Sequence, residues 1–171
     1  MFRYRSIIGN AAICATAVGL ISAFLGCSEP LHSGQIANVG LIENREPISV
    51  TTRDGHTIYG HLHRPDSSRA TSSDSSDGKF PLILAFHQGG SSGEAEYAPI
   101  IPRLLDEGFG VLTIDQRKGG NRFMGNNRTA MSFAQEAIRY CDAIEDLEAA
   151  LSFALGLEEV GRIIAWGSSY S

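Results

Sequence analysis

RIIAWGSSYS, residues 162–171, decides how this sequence is read. Ile163, Ile164, Ala165 and Trp166 form an apolar run without alternation, which suits a strand covered on both faces. Five small or turn-forming positions follow at once: Gly167, Ser168, Ser169, Tyr170 and Ser171. A strand that turns sharply towards a helix can hold a serine in a strained backbone with its hydroxyl exposed. Small residues flank that serine because a side chain there would strike the sheet or the helix. The frame G-x-S selects Ser169, since Ser168 would need glycine at Trp166 and Ser171 would need it at Ser169. Ser171 stands where the pattern has its second glycine, and it is also small.

Working outward from that strand, two more buried runs precede it. PLILAF (81–86) is a continuous apolar segment, and GVLTI (110–114) reads as a second buried strand. HQGGSSGE (87–94) is a glycine-rich loop whose Ser91 and Glu94 have capping-box spacing. A helix is expected over about 98–107, with Pro99 in its first turn and Gly108 at its end. From Phe133 to Leu155, apolar residues recur at 134, 137, 138, 141, 144, 147, 151, 154 and 155, a stripe for a helix of about six turns. Cys141 lies on that stripe and reads as a small buried hydrophobe. Nearer the start, ISVTT (48–52) and HTIYGHLH (56–63) flank the turn Arg53-Asp54-Gly55 and form an antiparallel hairpin. The 66–78 stretch (DSSRATSSDSSDG) is a polar surface loop rather than a domain boundary, because the strands beside it are too short to stand alone. Strand, helix, strand, helix, strand implies a parallel sheet with right-handed crossovers under helices.

The first residues have another character. Arg3 and Arg5 precede an uncharged apolar stretch from Ile7 to Leu25, the layout of an export signal. The segment ends Phe24-Leu25-Gly26-Cys27, which resembles a bacterial lipobox with Cys27 as the lipidated residue; a plain cleaved signal or an uncleaved membrane anchor are the alternatives. The expected organisation is a signal over 1–26, a tether over 27–46 and a single domain over 47–171. The expected location is the bacterial cell envelope, held to a membrane through the lipid at Cys27. A net charge of −5 gives no general affinity for nucleic acid. With Cys14 in the signal and Cys27 lipidated, Cys141 is left without a disulfide partner. His61 and His63 share one side of a strand but have no cysteine or acidic cluster beside them, so no metal site is expected. No cofactor is called for.

Acyl transfer needs hydrogen-bond donors for the oxygen that becomes negative. One would be the backbone N–H after the serine, that of Tyr170. The other would come from the loop after PLILAF, where glycines let backbone N–H groups approach a ligand. PLILAFHQGG, GVLTIDQRKGGN and IIAWGSSYS, with the early hairpin, resemble the α/β-hydrolases of the dienelactone-hydrolase and prolyl-oligopeptidase-like esterase group. The resemblance implies the N-terminal part of an α/β-hydrolase fold: a hairpin leading into a mostly parallel sheet with flanking helices. It implies Ser169 as nucleophile, with Tyr170 and Gly89 or Gln88 forming the oxyanion hole. His87 then shapes the loop and is not the base, while Asp115 and Arg117 brace the loop after GVLTI. The implied substrate is a small ester or related acyl compound. In this family the acid and histidine follow the serine, and His32, His56, His61, His63 and His87 all precede it. The expectation is therefore a fold incomplete at its C-terminus and inactive as written, or alternatively a non-catalytic surface lipoprotein that keeps half of the fold.

Overall fold

The computed structural model describes residues 45–66 and 78–171. The expected signal, Cys27, nearly all of the tether and most of the polar 66–78 stretch lie outside the described residues. Among the described residues five strands form one sheet: β1 (Arg45–Thr51), β2 (Thr57–His63), β3 (Phe80–Phe86), β4 (Gly110–Asp115) and β5 (Val160–Gly167). Their order is β1-β2-β4-β3-β5. β1 with β2 and β2 with β4 are antiparallel, whereas β3 is parallel to both β4 and β5. The hairpin turns through Gly55, whose φ of 83° favours glycine.

Side chains alternate across β3 and β4, so each strand feeds two cores. On one face Ile58, Leu62, Leu82, Leu84, Leu112 and Ile114 pack beneath Ala149, Ala150 and Ala154 of α3 (Ile144–Leu155). The three alanines let the helix axis come close to the sheet. On the other face Ala85 and Val111 meet Tyr97 of α1 (Gly93–Tyr97) and Ile101 of α2 (Ile101–Asp106). β4 is buried along its whole length, which explains the apolar Val111, Leu112 and Ile114 in it.

Four local expectations are corrected. The helix expected over 98–107 is shorter, spanning only α2, with the separate α1 before it; Pro99, which has no backbone donor, lies between the two, and Pro102 is tolerated in the first turn of α2. The Ser91–Glu94 capping box is absent: Ser92 is the N-cap, and Glu94 pairs with Arg45 at 2.7 Å instead. The long helix expected from Phe133 begins only at Ile144, after short 3₁₀ turns at Ala130–Ser132 and Tyr140–Ala143. Here side chain–backbone bonds take the place of a helical ladder. Gln135 Nε2 donates to the carbonyls of Arg117 and Ala130, both at 2.9 Å, and Arg139 N donates to Asp142 Oδ2 at 2.8 Å. Cys141 consequently falls on an exposed turn rather than in a core. β5 forms an edge of the described sheet. Its Ile163 and Ile164 are half-buried and its Trp166 is 43% exposed. No helix among the described residues is long and apolar enough to cross a membrane.

Candidate active site

β5 carries the chain alongside β3 until Gly167 pairs with Phe86, and Ser168 N continues the ladder by donating to Phe86 O at 3.1 Å. The next residue turns. Ser169 has φ 62°, the left-handed region that L-residues avoid. Ser169 is exposed, and among the described residues nothing hydrogen-bonds its hydroxyl. Ser168 is half-buried and extends the ladder, so only Ser169 is presented at the tip. Gly167 is required by the turn: a Cβ there would lie 2.3 Å from the Ser171 carbonyl. Ser171 contributes more than small size. Its Oγ lies 3.1 Å from Phe86 O, 2.9 Å from His87 O and 3.0 Å from Ser168 O, which ties the turn to the end of β3.

The loop after β3 begins with His87, which is fully buried. Gln116 N donates to His87 Nε2 at 2.9 Å, so Nε2 is the acceptor and the proton sits on Nδ1, 2.8 Å from Gln88 O. Asn127 Nδ2 also lies 3.1 Å from Nε2. Burial lowers the imidazole pKa, and the ring is held neutral as a strut between two loops. Gln88 N donates to the Glu96 carboxylate at 3.0 Å, so that N–H is engaged. Among the described residues no hydrogen bond takes the backbone N–H of Gly89 or of Tyr170. The Tyr170 ring is anchored separately. Its hydroxyl accepts from Gln116 Nε2 at 2.9 Å and donates to Lys118 O at 3.0 Å.

Asp115 and Arg117 set the loop that follows β4. The Asp115 carboxylate accepts from Gly93 N at 2.9 Å and Arg128 N at 3.0 Å; burial pushes its pKa up and these bonds oppose that. Arg117 lies between Asp146 on α3 and Asp54 in the hairpin turn. It donates from N to Asp146 Oδ2 at 2.7 Å, from Nε to Asp146 Oδ1 at 2.9 Å and from one terminal nitrogen to Asp54 at 2.6 Å. Arg117 holds the Asp54 carboxyl well below the usual carboxylate range.

Sequence reasoning missed Glu96, Asn127, Tyr140 and Asp146. Only Asp146 left a signal: it shares the buried face of α3 with Ala150 and Ala154, and a carboxylate on an apolar face demands a cation. Among the described residues no group of histidine, cysteine and acidic side chains is placed to hold a metal.

The sheet and its flanking helices make part of an α/β-hydrolase fold. DcsB, solved in complex with its substrate analogue, superimposes with TM-score 0.54 at 21% identity over 74% of this chain. The α/β-hydrolase GrgF from Penicillium sp. sh18 superimposes with TM-score 0.51 at 20% identity over 72% of this chain. In each case the chain spans 37% of the other protein's length. No protein-family model and no curated protein matches the sequence.

Proposed function

We propose that this chain belongs to a serine hydrolase acting on carboxylic esters or related acyl bonds. The observation that carries the reading is the left-handed backbone at Ser169, at the end of a strand inside a hydrolase-type sheet. Ser169 Oγ attacks the acyl carbon, and a base takes its proton. The oxygen that becomes negative is received by the free N–H groups of Gly89 and Tyr170, with Gln88 set aside by its bond to Glu96. Collapse of the tetrahedral intermediate releases the alcohol, and water then cleaves the acyl-enzyme. Each described histidine has another setting: His87 is a strut, His61 meets Arg45 and Glu94, His63 is buried in the hairpin sheet, and His56 lies beside Asp54. The base and its acid are therefore assigned to residues outside those described. Arg3, Arg5 and the Cys27 lipobox support export and tethering of the protein to a membrane of the bacterial envelope. Replacing Cys27 with Ala should move it out of the membrane fraction.

The absence of any described base beside Ser169 favours a second reading, a non-catalytic binding module on the same half-fold. A fluorophosphonate probe separates the two, applied to the protein as its own gene makes it. Labelling at Ser169 that is lost in Ser169→Ala and kept in Ser168→Ala, with hydrolysis of a short nitrophenyl ester, supports the hydrolase. A folded protein that neither labels nor hydrolyses supports the binding module.

A further inference from the structure

Gly89 raises a separate question, because its φ is not among the positive values that would demand glycine. The space explains it. A Cβ at Gly89 would lie 2.9 Å from Tyr140 Cε1 and 3.1 Å from the Tyr140 hydroxyl. The same Tyr140 ring lies against Tyr170, with centroids 4.7 Å apart. Gly89 and Tyr170 carry the two N–H groups assigned above to the oxyanion. They come from segments far apart in the sequence, and one ring touches both.

Tyr140 is otherwise lightly held. It is 56% exposed, and among the described residues its hydroxyl makes no hydrogen bond. Lys118 Nζ lies 5.8 Å from its ring centroid. Tyr170, by contrast, is fixed at its far end by Gln116 and Lys118. The ring thus rests on a fixed partner and presses on a glycine loop that has no side chain of its own to set its height.

We propose that Tyr140 is a positioning residue, an aromatic wedge that sets the spacing between the Gly89 and Tyr170 N–H groups. The role belongs to the ring and not to the hydroxyl. This inference rests on the oxyanion assignment of the proposed function. Oxyanion donors act only when held in place, and misplacement by about 1 Å costs ~10²-fold in rate.

The test is a set of variants of the full-length protein. Gly89→Ala drives a methyl into Tyr140 and should lower the melting temperature. In a Tyr140→Ala background the same change should be tolerated, since the obstructing ring is gone. Tyr140→Ala should lower kcat on a nitrophenyl ester by roughly 10- to 100-fold with KM nearly unchanged. Tyr140→Phe should behave as the parent. If Gly89→Ala is as harmful in the Tyr140→Ala background as it is beside the intact tyrosine, the wedge is wrong. Unchanged kcat in Tyr140→Ala also overturns it, as does a Phe variant as slow as the Ala variant. Fluorophosphonate labelling of the unaltered protein reports independently. If the parent itself fails to label, the serine-hydrolase reading has failed, and the Gly89–Tyr140 rescue still judges the contact.

Discussion

Replacing Asp146 with Ala removes the inner half of the brace that holds the loop after β4. Asp146 is fully buried and the Arg117 side chain is 5% exposed, so the pair is screened from water. Arg117 would lose the acceptor for its backbone N–H at 2.7 Å and for Nε at 2.9 Å. Breaking a buried pair from one side typically costs about 3–5 kcal/mol, because the remaining charge is left without compensation. Here Arg117 keeps Asp54 at 2.6 Å, which places the expected loss at the lower end, about 3 kcal/mol. Asp54 is 35% exposed, so Asp54→Ala should cost only about 1 kcal/mol. In urea, with a slope of about 1.5 kcal/mol per molar, Asp146→Ala should lower the midpoint by ~2 M and Asp54→Ala by less than ~1 M. Arg117→Met with Asp146→Leu removes both charges and should recover part of the loss, the backbone N–H at position 117 still lacking its acceptor. An Asp146→Ala midpoint within ~0.5 M of the parent, or a larger effect from Asp54→Ala, would refute the reasoning.

The strain at Ser169 should be measurable: Ser169→Gly accepts φ 62° without a Cβ and should raise stability by about 1 kcal/mol, whereas Ser169→Ala should not. Equal melting temperatures for the two variants would remove the evidence for a strained turn. His63 is fully buried, and among the described residues neither ring nitrogen has a hydrogen-bond partner; burial, then His61 and Arg45, lower its pKa to about 4. The unfolded chain then binds more protons between pH 6.5 and about 4, so stability should fall as pH drops through that window and level off below it. His63→Leu should stabilise the fold at neutral pH and flatten that slope, and chemical denaturation at several pH values checks both. Finally, Cys141 should react with a maleimide in the native protein without denaturant, as peptide mapping would show.

The elements with local causes were legible along the chain. PLILAF and GVLTI are dominated by apolar residues because both faces of β3 and β4 are covered, and that pattern needs no knowledge of the partner. The crowding around Gly167 is also local, since a Cβ there meets a residue four positions on. The frame that singles out Ser169 coincides with the residue whose backbone turns left-handed. Where the sequence misled, the deciding groups were distant. The apolar stripe from Phe133 was a sound helical pattern, yet Gln135 found the Arg117 and Ala130 carbonyls, and the helix starts at Ile144. Glu94 had capping-box spacing, yet Arg45 and His61 captured it across the fold. Periodicity and turn chemistry report what a segment does against a generic apolar or aqueous surrounding. They carry no information about which donor arrives from another strand. Sequence alone therefore determined the strands, the buried character of β3 and β4, and the turn at the serine. Tertiary structure decided that Glu96 withdraws Gln88, that Asp146 holds Arg117, and that Tyr140 fills the space above Gly89. Each of those contacts exists only once the sheet has brought separate loops within a few ångströms.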